Sequence, residues 1–363
     1  MAGPTDRATL RFNVTPDQMN HWFTEVERHT PPGITHDLTR RFLAETGLPR
    51  TAALIRFEPG GPDTTWPELH HIGAYGDHGH VLLDPGTGHV YSYDTGIGGA
   101  QPDPMSVDVS ALVRDAHLAE DLRNDREPRH TADELVELLA VTEPELPRAG
   151  SFWPTAYVMW QLRRAAVPGD GLAVRVTREM LDLVYEGEYW GFPDELLPDA
   201  LVHGPTRRFL RETGVVDAWA YLEVSGHEER LPTLAEITAR RIEEEEDEEL
   251  PGPPPDAEHL IVLGYVLEDT DLVVDGRTGL VLMWNQYEAE LTPCNTDLST
   301  LAFTMWAVAH ARAEGCRLGL GMDHVWETII RDLLGGIDPV AWADPWGYWP
   351  NLLFDGVNGI ALD

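Results

Sequence analysis

The sequence predicts an α+β fold: two tandem domains of one kind, each a mixed or antiparallel sheet flanked by helices. Three observations carry that reading. TRRFLAETGL at residues 39–48 recurs as TRRFLRETGV at 206–215, identical at eight of ten positions. GAYGDHGHVLLDPGTGHVYSY (73–93) aligns without a gap to GYVLEDTDLVVDGRTGLVLMW (264–284). In both copies the strand-rich stretch stands between runs of helical periodicity, rather than alternating with single helices as in a wound parallel sheet.

Each element of the repeat follows in order. VTPDQM (14–19) is answered by VTREML (176–181), where a first helix begins. THDLTRRFLAETGLP then has a polar entry at Thr35–Asp37, good helix formers, and Gly47 where the helix should stop. Glycine accepts the left-handed conformation that closes a helix, and Pro49 blocks its continuation. His203 and Gly214 repeat His36 and Gly47 at an offset of 167 residues. The paired arginines are expected to snorkel or to meet nearby acids. HVLLDPGTGHVYSY reads as strand, tight turn, strand, and so does LVVDGRTGLVLMW. Asp84 and Asp275, at the two corners, are expected to accept hydrogen bonds from turn amides. VDVSAL (107–112) and TDLSTL (296–301) open amphipathic helices, over 110–124 and 299–315. TADELVELLA (131–140) and HVWETIIRDLLGG (324–336) supply one more helix per copy. Glu143-Pro144 with Trp153-Pro154 is matched by Asp338-Pro339 with Trp349-Pro350 in an aromatic closing segment.

The offset rises from 167 at the histidines to 191 at the hairpins, so copy 2 has gained 24 residues between them. ARRIEEEEDEELPGPPPD (239–256) lies in that interval. Seven consecutive acids followed by Pro and Gly predict a disordered, solvated insertion within copy 2. The boundary between copies falls instead near the Pro/Gly-rich AAVPGDGLA (165–173), giving domains over 8–166 and 172–363.

Composition narrows the function. With 363 residues, 42% of them hydrophobic, and 12 tryptophans, the chain can bury two cores. Its net charge of −36 argues against nucleic-acid phosphates and against an anionic membrane surface as partners, and favours a basic protein. Cys294 and Cys316 are too few for a disulfide framework or a cysteine zinc site, and an inert buried thiol is the expectation for Cys316. MAGPTDRATLRFNV has no basic segment followed by an apolar run. LSTLAFTMWAVAHA (298–311) carries Ser299, Thr300, Thr304 and His310 and is too short and polar to span a bilayer. A cytoplasmic protein is expected.

Catalytic constellations are weak. HHIGAYGDHGH (70–80) is the most ligand-like stretch, because His78 and His80 would share one face of a strand beside His70, His71 and Asp77. The second copy is a control: the four histidines correspond to Ile261, Val262, Asp269 and Asp271, so the fold does not require them. There is no HExxH, no GxSxG elbow, and no phosphate-loop ending after GIGGAQPDP (96–104). With 62 acids, no carboxylate pair can be singled out from sequence as acid and base. No cofactor, metal or catalytic residue is therefore assigned.

HDLTRRFLAETGLP, then a strand reaching Gly73, VLLDPGTGHVY, and VDVSAL opening a helix together resemble the SUKH-4 group of immunity proteins. That group belongs to the SUKH superfamily, which includes the yeast Knr4/Smi1 proteins. The resemblance covers both copies; copy 2 departs from it at Val215-Val216, where copy 1 has Leu48-Pro49. It implies a sheet flanked by helices and a non-enzymatic role, the binding and neutralisation of a cognate bacterial toxin, such as a nuclease or deaminase. The alternative it implies is a scaffold or regulatory module binding a self protein; a metal-dependent enzyme using the His70–His80 stretch is the third reading. For the partner-binding surface, sequence offers two candidates. One is the acidic run Glu243, Glu244, Glu245, Glu246, Asp247, Glu248 and Glu249, a charged element for a basic toxin. The other is DPWGYWPNLLF (344–354), where an exposed Trp346, Tyr348 or Trp349 would anchor an interface, although packing alone also accounts for the segment.

Overall fold

A computed structural model describes residues 9–95, 101–124, 129–146, 152–217, 222–224, 229–244, 251–266, 270–318 and 324–354. The chain forms two compact units, Met1–Arg164 with Glu314–Ile330, and Ala165–Ala313 with Arg331–Asp363. The break at Ala165 is the first residue of AAVPGDGLA. No helix among the described residues is long and apolar enough to cross a membrane.

The first unit is built on an antiparallel meander. Its strands are Thr51–Ala52, Ile55–Phe57, His70–Tyr75, Gly79–Leu83, Val90–Asp94 and Asp103–Ser106, each paired to the next. Helices Pro16–Trp22 and Asp37–Glu45 precede the sheet, and Val109–Asn124, Ala132–Thr142 and Phe152–Gln161 follow it. Thr15 and Gln18 form a capping box at the first helix, and Thr131 and Glu134 form another, so the Thr-x-x-Gln/Glu spacing sets where these helices begin. Phe152 to Trp160 is buried without interruption, as expected of a helix apolar all round.

The second unit repeats this order. Helices Arg178–Tyr185 and Gly204–Glu212 lead into the strands Leu222–Val224, Leu260–Val266, Thr270–Asp275, Val281–Asn285 and Glu290–Asn295, again a continuous antiparallel meander. Even the irregularities recur: the register slips between His71 and Gly73 in one sheet and between Val262 and Gly264 in the other. The sheets are antiparallel throughout, which narrows the expected mixed or antiparallel alternative.

The interval that gained residues departs from expectation. Leu234–Glu244 is a helix, so the stretch from residue 239 begins as its last turns and not as a solvated loop. Thr233 and Glu236 box its N-terminus: the Glu236 amide donates to Thr233 Oγ1 at 3.3 Å, and the Thr233 amide to Glu236 Oε2 at 2.7 Å. Leu234 and Ile237 pack on Leu260, Val262, Val273 and Trp284 of the sheet. In the first unit the equivalent cluster, Leu69, Leu82 and Tyr93, is covered by Trp66 from the loop between strands.

Candidate functional site

The residues written in both copies converge on two structural joints. At the first, the amides of Thr35 and His36 both donate to the Pro85 carbonyl at 2.9 Å, docking the second helix on the hairpin turn. His36 Nδ1 and Thr39 Oγ1 share a hydrogen bond of 2.8 Å. Gly88, with φ of +82°, lies against both; a Cβ there would stand 2.6 Å from each. The second copy reproduces every part. Val202 and His203 amides donate to the Gly276 carbonyl at 2.8 Å, His203 Nδ1 meets Thr206 Oγ1 at 2.8 Å, and Gly279 has φ of +83°. Asp84 Oδ1 accepts from the Gly86 and Thr87 amides at 2.7 and 3.0 Å, and Asp275 Oδ1 from Arg277 and Thr278 at 2.8 and 3.3 Å. Both corner aspartates therefore act as turn acceptors. Arg40 pairs with Asp37 at 2.5 Å, Arg207 with Asp194 at 3.3 Å, and Arg208 with Asp170 at 2.5 Å.

At the second joint, Asp108 is 4% exposed and Asp297 7%. Asp108 Oδ1 accepts from the Ser110 and Ala111 amides at 2.8 and 3.0 Å, capping the long helix. Its Oδ2 accepts from the Arg11 amide at 2.6 Å, while Ser110 Oγ accepts from the Phe12 amide at 2.9 Å. Asp297 and Ser299 hold Ala173 and Val174 in the same way, at 2.7 and 3.0 Å. Sequence alone does not announce this clamp; the Asp-x-Ser shared by VDVSAL and TDLSTL is its visible trace.

The copies differ at a buried acid pair. Glu143 Oε2 accepts from the Val107 amide at 2.9 Å, and Asp338 Oδ2 from the equivalent Thr296 amide at 3.0 Å. Copy 1 adds a second carboxylate, Asp115, and Arg114, whose Nε donates to Asp115 at 2.8 Å and whose guanidinium reaches Glu143 at 3.3 Å. Copy 2 has Phe303 and Thr304 at these positions. Burial, then repulsion from Asp115, pushes the Glu143 carboxyl up to about 9; burial raises Asp115 too. One arginine offsets one carboxylate, so the pair retains a proton near neutral pH. Asp115 is 0% and Glu143 1% exposed, so a substrate has no approach to either.

Of the four histidines, His71 and His80 meet, and the set as a whole does not converge. The strand begins at Gly79, leaving His78 in the preceding turn and off the face that His80 occupies. His80 Nδ1 stands 3.5 Å from Asp63 Oδ2, and its ring is 5.3 Å from that of His71. Burial, then the neighbouring His80, lowers the His71 pKa. Asp63 Oδ1 accepts from the Thr65 and Trp66 amides at 2.8 and 3.0 Å, as a loop former does. His70 is 5% exposed and packs on Gly33. Among the described residues, no three His, Cys, Asp or Glu side chains are placed to hold a metal. Cys316 is exposed, not buried as expected, whereas Cys294 is buried and its thiol is pushed up by desolvation.

The candidate partner residues are distributed as follows. Glu243 and Glu244 are exposed on the last turn of the helix Leu234–Glu244; Glu245 to Glu249 lie outside the described residues. Arg241, one turn earlier, reaches Asp271 with both guanidinium nitrogens at 2.7 and 2.8 Å. Trp349 is 1% exposed and donates through Nε1 to Asn295 at 2.9 Å, as Trp153 donates to Ser106 in copy 1. Its burial removes it from any docking surface. Tyr348 is half-buried, and Trp346 is 81% exposed.

The sequence model of the family described as SUKH-4 immunity protein matches residues 14–154 and, a second time, residues 176–355. No curated protein and no solved structure matches the chain.

Proposed function

The chain belongs to the SUKH-4 immunity protein family in both of its copies, and from that premise we propose that it binds a cognate bacterial toxin in the cytoplasm and neutralises it by occlusion, with no chemistry of its own. The double family match is the observation that carries the reading. The charge supports it: a toxin that handles nucleic acid must itself be basic to hold phosphates, and a partner with net charge −36 attracts it over distance. The exposed acids at the end of the helix Leu234–Glu244 extend that field. Speed is where such attraction acts most, because long-range steering raises the association rate more than it slows dissociation.

The test is co-expression with a candidate toxin domain, taken from any toxin gene found beside the protein's own in its native host. A stoichiometric complex in which toxin activity is abolished is the expected outcome. A toxin that stays fully active at saturating protein would overturn the proposal. So would stoichiometric capture of a self regulatory protein while an expressed neighbouring toxin stays unbound.

A further inference from the structure

Among the described residues, Trp346 is the most exposed large apolar side chain. Its backbone is held. The Trp346 amide donates to Asp344 Oδ1 at 3.0 Å, and Asn351 Nδ2 donates to the Trp346 carbonyl at 2.6 Å. The next turn closes through the Gly347 amide, which donates to the Asp344 carbonyl at 3.0 Å, and Trp349 and Leu352 bury the helix that follows. A tryptophan presented on a pinned turn leaves a large apolar area in water. It also carries little ordering cost into an interface, which is the profile of a binding anchor.

The indole borders a groove of about 240 Å³. Met283, Tyr348 and Leu352 supply the rest of its apolar lining, and Glu288 and Glu290, both exposed, supply acid. No arginine or lysine is among the described residues that line it. Asn285 Oδ1 accepts from the Glu288 amide at 3.2 Å, which fixes the hairpin turn carrying these acids. An open indole face beside two carboxylates discriminates between cations. A guanidinium is planar and weakly hydrated on its faces, and it donates in its plane, so it can stack on the ring and hydrogen-bond a carboxylate together. An ammonium is a compact, strongly hydrated point charge and gains less from the same pair.

We infer that this groove receives an arginine side chain of the basic partner, stacked on Trp346 and hydrogen-bonded to Glu288 or Glu290. The inference rests on the immunity reading only for the partner's identity. The site chemistry stands on the groove.

The test uses the full chain labelled with 5-fluorotryptophan, in which Trp346→Phe identifies one fluorine resonance among 12 tryptophans. Acetylated tetra-arginine amide should shift that resonance saturably, and tetra-lysine amide should bind about tenfold more weakly. Glu288→Gln with Glu290→Gln should weaken tetra-arginine binding about tenfold, and Glu186→Gln with Glu188→Gln, two exposed acids outside the groove, should change it by less than twofold. An unmoved Trp346 resonance overturns the inference. So do equal affinities for the two peptides, or equal losses in the two double variants, since either would mean net charge alone. With the neighbouring toxin domain as ligand, Trp346→Ala should lower affinity at least tenfold, and Trp346→Phe should retain part of it. If Trp346→Ala binds toxin normally, the groove is not the site and the immunity reading stands. If tetra-arginine behaves as expected and wild type binds no toxin, the immunity reading falls and the groove stands.

Discussion

Glu143 shows how one buried side chain makes copy 1 respond to pH. Its folded carboxyl titrates at about 9, far above its ordinary value, because it is buried beside Asp115. Between those two values the folded state keeps a proton that the unfolded state has lost, so stability falls as pH rises across that window. Below the ordinary carboxylate range both states are protonated and the penalty vanishes. Glu143→Gln keeps an oxygen for the Val107 amide and removes the titration. Relative to wild type it should gain stability from pH 5 to pH 8.5, by about 1–3 kcal/mol at the upper end. Thermal unfolding at several pH values measures this; a constant difference between variant and wild type would mean that Glu143 does not titrate in the window. The sequence does not disclose the cluster, because Arg114 and Asp115 stand 29 and 28 residues before Glu143 and no periodicity links them.

At the scale of elements, the hairpin and the helix beside it are legible in the sequence because their restrictions are local. The turn needs Asp for its amides and Gly for its left-handed residue, and both copies keep them. What locality hides is the docking of turn on helix, in which Gly88 and Gly279 are pressed against the His-x-x-Thr start of the helix. Gly88→Ala and Gly279→Ala each meet a strained φ and a steric overlap, and each should destabilise its own copy by about 1–3 kcal/mol. Gly86→Ala, whose added Cβ would lie 3.4 Å from Asp84 Oδ1, should cost less. Chemical denaturation of the three variants compares them directly, and equal costs would remove the joint from the account. The helix Leu234–Glu244 is hard to see for the opposite reason. Its capping box at Thr233 and Glu236 is a purely local signal, but the acid run that follows dominates the stretch.

For the whole molecule, the duplication is fully visible in the sequence, since an ordered series of anchors whose offset shifts by a few residues elsewhere and takes its one large step, from 167 to 191, across one interval is what copying a domain and then lengthening one loop produces. The proposed binding surface is only half visible. Exposure separates Trp346 from Trp349, and nothing in WGYWPN distinguishes a tryptophan that packs from one that does not. Charge is the property that acts over the whole chain. Replacing Glu243 to Glu249 by the corresponding amides should slow association with a basic toxin several-fold at low salt and flatten its dependence on ionic strength, while changing dissociation little. Stopped-flow mixing at two salt concentrations reads both rates. Unchanged association would assign the steering to the remaining acidic surface.

The clamp at Asp297 also has a consequence for the order in which the protein can mature on the ribosome. Ala173 and Val174 leave the exit tunnel early, but the carboxylate and hydroxyl that hold them follow 124 and 125 residues later. In copy 1 the same wait is 97 and 98 residues. The opening segment of the second copy thus gains its fastenings in stages: Asp170 can meet Arg208 after 38 residues, whereas the Ala173 and Val174 amides wait for Asp297 and Ser299.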